Sequence, residues 1–491
     1  MVTSSIPPSE KIFPIQKKIK WFGLGFIILF QFLMHFNHFS SDLVGIHVWR
    51  QTQTQAGIDS FYAEDFNILN PRKLDRGDGS GIFRKEFPLV QWTIAGVYKL
   101  VGNQLIVTRI CMFIISMVSM IGLFLLLLSL LRAQWAALIG AWAFSLAPAI
   151  FYHGINPMPD IAALCFINWG LFLFVKWAEG KQIKNLILSA LLFGLATAIK
   201  LPFIVLYLIP AVYVLQQLSR HKINNIIHSL SHWVVYLLFL IPAAIWYINV
   251  IPTWGKAGVV SGLIHAHDSS SMLLHYAIHN VISTLPELLL NWGSVLFFIT
   301  GLILIFFKSG LRNKLFIPFL IGGIGVSVYY IFELNMIQDK HDYYAFPFVP
   351  FLFIAVGCGI RYFLSKSKTT KYIAIACAVA MPLLTYARKG HAWNQEGNVL
   401  VEYKTELQNA IPNEALCIAG NDESTFIYFY HLNKKGWSFN NDELPASRIA
   451  ELKEKGAKYL YSDSDEINYF VETELSLELI AKVATFRIYK L

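Results

Sequence analysis

Charged side chains are scarce in this chain of 491 residues, of which 14% are Asp, Glu, Lys or Arg. An average soluble domain contains roughly 25%, so the composition excludes an ordinary soluble protein. Cysteine is also rare, with five residues. Cys111, Cys165, Cys358 and Cys377 lie in apolar runs and Cys417 stands alone, so we expect neither a disulfide framework nor a cysteine metal site. Internal repeats and low-complexity segments are absent.

Long apolar runs occupy most of the sequence, and the mean hydropathy is +0.50. Because a spanning helix needs roughly 20 apolar residues, these runs predict a polytopic α-helical membrane protein with about eleven spans. The predicted spans are 21–39, 104–131, 134–152, 160–178, 184–199, 201–217, 229–251, 291–307, 314–333, 345–363 and 371–387. The stretch 88–101 is too short to cross, and we expect a helix lying at the membrane interface.

The distribution of basic residues predicts the orientation. With residues 1–20 as a cytoplasmic tail, this tail and the loops on its side contain 17 Lys and Arg but only two acids, Glu10 and Glu179. Such a bias orients multi-pass proteins in the cell (inner) membrane. We therefore interpret the net charge of +9 as a topology signal and expect no nucleic-acid partner.

The chain divides into three predicted domains: the tail at 1–20, a membrane domain at 21–387 with a first outer loop at 40–103, and a domain at 388–491. An odd number of spans places the last domain outside the cytoplasm. Its stretches "EALCIAG" (414–420) and "AKYLYS" (457–462) predict strands, and "SRIAELKEKG" (447–456) predicts a helix closed by Gly456. Alternating elements of this kind indicate a small soluble α/β domain.

Five polar stretches fall on the outer face in this topology. They are the first loop, "INPMPD" at 155–160, "IKLP" at 199–202, the loop 252–290 and "NMIQDKHDYY" at 335–344. Non-helical backbone near membrane depth is tolerated where it lines a cavity. We therefore expect these stretches to build one site.

Two acids at predicted helix starts are candidates for chemistry. Glu86 precedes the interfacial helix, where a carboxylate is suited to act as a general base or a metal ligand; the alternative is an ordinary interfacial charge. Asp160 opens a predicted span after Pro159. It is either a catalytic or ligand-binding carboxylate or an acid that simply favours the helix dipole.

Three cations are candidates for binding an anion. Lys200 lies between two short helices in "AIKLP", where a positive charge suits a phosphate group. Arg109 lies inside a predicted span, and an intramembrane ionisable residue indicates function unless its side chain snorkels to the surface. Arg50 belongs to "HVWRQTQTQ" (47–55), which is either part of a substrate site or a solvated linker.

The segment "HDYY" combines His341, a metal ligand or proton carrier, with Asp342, Tyr343 and Tyr344. The tyrosines and Trp49 offer flat faces to a sugar or a lipid; the alternative is an aromatic belt at the membrane surface.

Three further residues are candidates for ligand or metal binding. His265 and His267 have the H-x-H spacing of some metal sites. Asp78 lies in the acidic, turn-rich "DRGDGSG" at 75–81.

Residues 20–390 resemble the GT-C class of membrane glycosyltransferases. They are most similar to glycosyltransferase family 39, which includes protein O-mannosyltransferases and the lipid A aminoarabinose transferase. The resemblance rests on H-x-W-R-Q at 47–51, "RGDGSG" at 76–81 leading into "EFPL" at 86–89, "PMPD" at 157–160, "KLP" at 200–202 and "HDYY" at 341–344. It implies a sugar donor linked to polyprenyl phosphate, a membrane-lipid environment, and transfer to a hydroxyl group of a protein, lipid or envelope-glycan acceptor on the outer face.

The sequence departs from this family at the expected catalytic base. Relatives with the H-x-W-R-Q pattern tend to have an Asp soon after it, and here Gln53 stands in that place. The resemblance leaves Glu86, Asp160, Asp59 and Asp42 as candidate carboxylates, and Asp160 matches the second acid of the class.

The resemblance also implies contacts to the substrate and a divalent metal ion. In some relatives a metal lies between an acid at the end of the first loop and a later His, which implies Glu86 with His265 or His267. The implied substrate-binding residues are Trp49, Arg50, Gln51, Asp78, Arg109, Lys200, His341, Asp342, Tyr343 and Tyr344.

Two other functions fit the same sequence. A transporter or flippase for a lipid-linked sugar would share the cavity and the cations, but it should contain inverted repeats, which the sequence lacks. A non-catalytic relative that binds the lipid carrier fits the missing acid.

Overall fold

A computed structural model describes residues 17–77, 79–218, 224–254, 269–307, 314–337 and 341–491. Residues 17–393 are mainly helical. The helices are α1 (Lys17–His35), α2 (Val48–Ala63), α3 (Leu89–Val101), α4 (Leu105–Leu131), α5 (Gln134–Ser145), α6 (Pro148–His153), α7 (Pro159–Gly180), α8 (Ile183–Ile199), α9 (Leu208–Leu218), α10 (Asn224–Val250), α11 (Ser270–His279), α12 (Trp292–Phe307), α13 (Phe316–Phe332), α14 (Leu334–Ile337), α15 (Val349–Lys366) and α16 (Lys368–Lys389). Tight 3₁₀ turns occupy Phe36–His38, Leu201–Tyr207, Ile251–Trp254, Asp342–Phe348 and Gly390–Trp393, and a wide π-helix occupies Asn280–Leu290.

Within the described residues, six helical stretches are long and apolar enough to cross a membrane. They are Leu105–Leu131, Pro159–Gly180, Leu201–Leu218, Leu230–Trp254, Asp342–Lys366 and Lys368–Trp393. A pair formed by Ser270–Leu290 and Trp292–Phe307 would add a seventh, but it bends by 107°. The predicted polytopic α-helical membrane protein is confirmed, whereas the number of eleven spans stays a prediction.

The predicted span 134–152 is two helices rather than one. α5 ends at Ser145 and α6 begins at Pro148. Proline lacks an N–H and clashes with the preceding helical turn, so it is favoured at the start of a helix and not in its interior.

The polar stretch at 47–55 is the start of a helix, not a solvated linker. Ten of the sixteen residues of α2 are buried, and His47 precedes it in the left-handed conformation (φ 59°). α2 packs against α3. At 1.5 Å per residue α3 is roughly 20 Å long, shorter than the ~30 Å hydrocarbon core, as expected for the stretch 88–101; its place at the membrane interface stays a prediction.

The C-terminal region contains one five-stranded sheet in the order β2-β1-β3-β5-β4. Its strands are β1 (Leu416–Gly420), β2 (Lys435–Ser438), β3 (Tyr459–Ser462), β4 (Glu478–Val483) and β5 (Phe486–Lys490), and its helices are α17 (Val399–Glu402), α18 (Lys404–Asn409), α19 (Ile427–Leu432), α20 (Ala446–Glu454) and α21 (Asp465–Thr473). β1 pairs in parallel with β2 and β3, and β5 pairs antiparallel with β3 and β4. The predicted α/β domain, two of its strands and its helix are confirmed; β2, β4 and β5 were not predicted.

The segment 40–103 is fastened to this C-terminal region. Asp75 forms a parallel backbone bridge with Gly436 in β2, and its Oδ2 accepts hydrogen bonds from Ser438 Oγ at 2.6 Å and Ser438 N at 3.2 Å. At a second contact, Lys404 Nζ lies 2.5 Å from Asp42 Oδ2. The sheet therefore braces the segment that carries Arg50 and Glu86.

Candidate active site

Four of the predicted site residues meet in one group, termed here the ion-pair cluster. Arg50 Nη2 lies 2.8 Å from Glu86 Oε1 and 3.9 Å from Asp160 Oδ2. Lys200 Nζ lies 3.1 Å from Glu86 Oε1 and 3.1 Å from Asp160 Oδ1. The cluster thus joins two cations and two carboxylates from four separate parts of the sequence.

Each member of the ion-pair cluster lies at or near the end of a helix. Arg50 is in the first turn of α2, and Glu86 lies three residues before α3. Asp160 is the second residue of α7, which begins at Pro159, a favoured first helical residue. Lys200 follows α8 directly and has an extended backbone (φ −148°, ψ 107°). Helix ends therefore bring the charges together.

Burial and the neighbouring charges shift the pKa values of Glu86 and Lys200 in opposite directions. Burial raises the pKa of Glu86, but the positive charges of Arg50 and Lys200 outweigh it and hold the pKa below its ordinary value. Burial lowers the pKa of Lys200, but Asp160 and Glu86 outweigh it and raise the pKa above its ordinary value. Glu86 is therefore a carboxylate and Lys200 an ammonium ion at neutral pH.

Asp160 is the least satisfied member of the cluster. It is 1% exposed, and neither of its carboxylate oxygens accepts a well-formed hydrogen bond from the described residues, although Lys200 Nζ is within ion-pair distance. Glu86, in contrast, accepts hydrogen bonds from Arg50 and Lys200. A buried carboxylate without hydrogen bonds costs free energy. The Asp160 oxygens can therefore accept hydrogen bonds from a bound ligand.

A small cavity of about 40 Å³, partly open to solvent, adjoins the cluster. Its lining contains four cations and one acid, which is Glu86. Lys85 forms no ion pair with the described residues, and burial is the main reason that its pKa lies below its ordinary value. Arg50 Nη1 donates to Gln53 Oε1 at 2.7 Å, so the residue in place of the expected acid contacts the cluster. The lining residues are Arg50, Gln53, Gly57, Phe61, Pro71, Arg72, Lys73, Phe83, Lys85, Glu86, Pro88 and Gln91.

The segment "HDYY" forms a group of aromatic rings beside Lys200, termed here the aromatic wall. Lys200 Nζ lies 4.8 Å from the ring centre of Tyr344 and 5.3 Å from that of Tyr343. The His341 ring stacks on Tyr344 with 5.1 Å between ring centres, and Trp49 packs edge-on against His341 at 5.9 Å. Burial is the main cause that lowers the pKa of His341 to about 4, so this imidazole is neutral at neutral pH.

A buried His–Asp group adjoins the aromatic wall. Asp342 Oδ1 lies 2.8 Å from His153 Nε2 and 3.2 Å from His47 Nε2. These three ligand atoms lie within 4.8 Å of one another, a spacing that a metal ion could use. However, Lys389 Nζ lies 3.9 Å from Asp342 Oδ2 and already balances the carboxylate. A divalent ion would add uncompensated positive charge to a buried site, so these residues fit a metal poorly.

The other predicted metal set stays a prediction. His265 and His267 lie outside the described residues, as does Asp78. Glu86 contacts Arg50 and Lys200 rather than the His–Asp group.

Arg109 lies apart from the ion-pair cluster. Its side chain is fully buried. Its Nη1 donates to Asn156 Oδ1 at 2.5 Å, and its Nη2 donates to the carbonyl oxygens of Ser41 and Asp42 at 3.0 Å each. These contacts join the start of the segment 40–103 to the residues before α7, which favours a structural role over the predicted phosphate contact.

Gln51 and Asp59 also contact other parts of the protein. Gln51 Nε2 donates to the Tyr152 hydroxyl at 3.0 Å. Asp59 Oδ1 accepts from Gln55 Nε2 at 2.9 Å, and burial raises the pKa of Asp59 to about 7. Their predicted substrate and catalytic roles stay predictions.

Several residues around the site were not predicted to belong to it. Lys73 and Lys85 line the cavity, while His153 and Lys389 contact Asp342. A signal for the last two was present, because His153 directly follows the predicted span 134–152 and Lys389 lies two residues after the span 371–387, and ionisable residues at or near membrane depth indicate function.

Comparison with known proteins gives one family match, which covers part of the chain. Residues 85–246 match the family described as dolichyl-phosphate-mannose-protein mannosyltransferase. This match is shorter than half the chain, but it contains Glu86, Asp160 and Lys200. A comparison with curated proteins gave no match.

Solved structures resemble the chain over nearly its whole length. ArnT from Cupriavidus metallidurans bound to undecaprenyl phosphate has a TM-score of 0.67 and 13% identity, over 97% of this chain and 98% of that chain. The oligosaccharyltransferase AglB from Archaeoglobus fulgidus, with an inhibitory peptide and a dolichol-phosphate, has a TM-score of 0.61 and 12% identity, over 91% and 70%. Its complex with Zn and sulfate has a TM-score of 0.58 and 13% identity, over 92% and 69%. The chain has the GT-C fold of membrane glycosyltransferases, which confirms the resemblance inferred from its motifs.

Proposed function

We propose that the chain transfers a sugar from a polyprenyl-phosphate-linked donor to a hydroxyl acceptor on the outer face of the membrane. The observation that supports this proposal most strongly is the ion-pair cluster beside a cavity lined by four cations. The lipid phosphates bound to ArnT and AglB support a carrier of the same chemical class. The outward orientation follows from the basic loops of the sequence.

The cations bind the phosphate of the donor and stabilise it as it leaves. Lys85 is the first candidate, because it lines the cavity and forms no ion pair with the described residues. Arg50 and Lys200 belong to the adjoining ion-pair cluster, and each can exchange a carboxylate oxygen for a phosphate oxygen. Fixed positive charges aimed at a developing anion lower the barrier to its departure.

Asp160 is the base in this scheme. As the bond between the anomeric carbon and the phosphate oxygen breaks, the acceptor oxygen bonds to that carbon and its proton passes to Asp160. Glu86 is less suited, since Arg50 and Lys200 both donate to it. Instead it holds these two cations in position. Tyr343 and Tyr344 present their rings to the donor beside Lys200, and no step requires a metal ion at the His–Asp group.

The test is transfer by the purified protein in liposomes. The donors are polyprenyl phosphates linked to different hexoses and pentoses, the acceptors are cell-envelope fractions, and mass spectrometry detects both the released polyprenyl phosphate and the glycosylated product. We expect transfer by the unaltered protein and by the control Glu454→Gln, which removes an exposed carboxylate far from the site. Carrier binding without release of polyprenyl phosphate would favour the binding-only alternative. Movement of intact donor across the liposome would favour a transporter.

A further inference from the structure

Glu333 is a buried carboxylate that the scheme above does not use. It follows the last residue of α13, and its N–H donates to the Tyr329 carbonyl at 3.0 Å. The residue is 6% exposed. Its Oε2 atom is sealed from solvent and accepts no hydrogen bond from the described residues. Because such an oxygen costs free energy until a donor reaches it, Glu333 requires a partner that the described residues do not supply.

Glu333 lies beside the ion-pair cluster. α13 and α14, which flank it, pack against the turn Asp342–Phe348 that carries the aromatic wall. The Glu333 carboxylate interacts electrostatically with Lys200. Tyr329, one turn earlier in α13, interacts electrostatically with Glu333, Tyr344 and Asp160. The carboxylates of Glu333 and Asp160, whose buried oxygens lack hydrogen bonds from the described residues, therefore lie in one neighbourhood.

Lys200 contacts both this neighbourhood and the lining of the basic cavity. It contacts Glu86, which lines the cavity together with Lys73 and Lys85. It also contacts Asp160 and the rings of Tyr343 and Tyr344. A glycosyl phosphate has a charged phosphate at one end and a hydroxyl-rich ring at the other. The cations suit its phosphate, and the carboxylates and aromatic faces suit its sugar.

We propose that Glu333 is a specificity-determining residue, which accepts hydrogen bonds from the hydroxyl groups of a neutral donor sugar and excludes acidic sugars. This inference rests on the proposed lipid-phosphate donor. An acidic sugar would bring its own carboxylate towards Asp160 and Glu333, and a third carboxylate beside two buried ones would be unfavourable.

Binding to the full-length protein in nanodiscs tests this inference without requiring turnover. The probes are polyprenyl phosphate alone, the same lipid linked to mannose, and the same lipid linked to glucuronic acid, each titrated by calorimetry. We expect the unaltered protein to bind the mannosyl probe about 10-fold or more tighter than the bare lipid, since hydrogen bonds to a charged group are strong. The glucuronyl probe should bind no tighter than the bare lipid.

The variant Glu333→Gln retains the shape of the side chain and removes its charge. In this variant the mannosyl probe should bind little tighter than the bare lipid. The glucuronyl probe should bind several-fold tighter than it does to the unaltered protein, and the affinity for the bare lipid should not change. A gain in binding cannot result from partial unfolding. Glu333→Asp, which retains the charge, should still reject the glucuronyl probe, and Glu454→Gln should match the unaltered protein.

Two outcomes would overturn the inference in different ways. The unaltered protein could bind the mannosyl and glucuronyl probes equally well, or Glu333→Gln could change all three affinities alike. Either result would show that Glu333 does not select the sugar, and neither would contradict the proposed transferase activity. If even the bare lipid fails to bind, the proposed donor is wrong, and the role of Glu333 is wrong with it.

Discussion

Lys200 Nζ and Asp160 Oδ1 lie 3.1 Å apart, although Asp160 is the second residue of α7 and Lys200 directly follows α8. α7 and α8 form a hairpin in which Lys181 and Gln182 make the connection, so the start of the first helix and the end of the second lie on the same side. The ion pair therefore depends on two helices of matched length. Changing the length of either one would separate the base from the cation.

Asp160→Asn should be the most damaging of the conservative carboxylate variants. The substitution retains the shape and removes the base, so we expect turnover to fall by about 10²–10⁴-fold with little change in carrier binding. Glu86→Gln should lower turnover less, because it only loosens Arg50 and Lys200. Steady-state kinetics on both variants distinguish the two carboxylates, and a larger loss in Glu86→Gln would transfer the role of base to Glu86.

Lys85→Gln should weaken binding of bare polyprenyl phosphate, by about 10-fold in a low-salt buffer, since the variant removes a partly buried cation that forms no ion pair with the described residues. The effect should shrink as salt is added. Lys453→Gln removes an exposed cation on α20 and serves as the control. Equal binding by both variants at every salt concentration would show that the carrier phosphate lies elsewhere.

Arg109→Ala should destabilise the protein rather than weaken the carrier site. The variant leaves Asn156 Oδ1 and two backbone carbonyls without their donor, at a cost on the order of 3 kcal/mol. We expect a lower unfolding temperature in detergent and unchanged carrier affinity in the fraction that folds. A normal unfolding temperature combined with weak carrier binding would instead indicate that Arg109 binds the carrier phosphate.

Asp59 should make stability depend on pH. Its pKa rises from 3.8 to about 7 on folding, mainly through burial, so between these values the folded state binds a proton that the unfolded state has lost. Its contribution to stability therefore falls as the pH rises from about 4 to about 7 and is constant above that range. Asp59→Asn removes this penalty, and thermal unfolding should show a larger gain at pH 8 than at pH 5. Equal gains at both pH values would contradict a raised pKa.

A reporter fused after residue 389 should lie outside the cytoplasm. The 17 basic residues on the opposite side of the predicted spans provide the reason. Alkaline phosphatase activity of the fusion, compared with a fusion after Arg132, gives the measurement. A cytoplasmic signal at 389 would reverse the topology and the proposed side of the reaction.

Three of the four residues of the ion-pair cluster could be recognised from sequence because each is a charge near an apolar run, whereas Arg50 lies in a polar stretch. Glu86, Asp160 and Lys200 stand out against their neighbours, and the topology placed them on one face. Arg109 stands out equally, yet it binds backbone carbonyls, and no local pattern distinguishes a buried charge with structural partners from one that meets a substrate.

Other features depend on contacts between distant parts of the chain. α2 was assigned to the first outer loop because its first half consists mainly of Gln, Thr and Arg, and only its tertiary partners explain why most of these residues are buried. Glu333 follows an apolar helix as an ordinary capping residue would. Its proximity to Lys200 arises from the packing of α13 on the turn at 342–348, which no spacing in the sequence encodes.

The bridge between Asp75 and the sheet has a consequence for biosynthesis. Asp75 and Ser438 are 363 residues apart in the chain, and translation proceeds at about 5–20 residues per second. Roughly 20–70 s therefore pass between the synthesis of the segment that carries Arg50 and Glu86 and the synthesis of β2, to which it binds. During that interval Asp75 has no strand to pair with, so a ribosome stall or a truncation before codon 435 would leave the site without this brace.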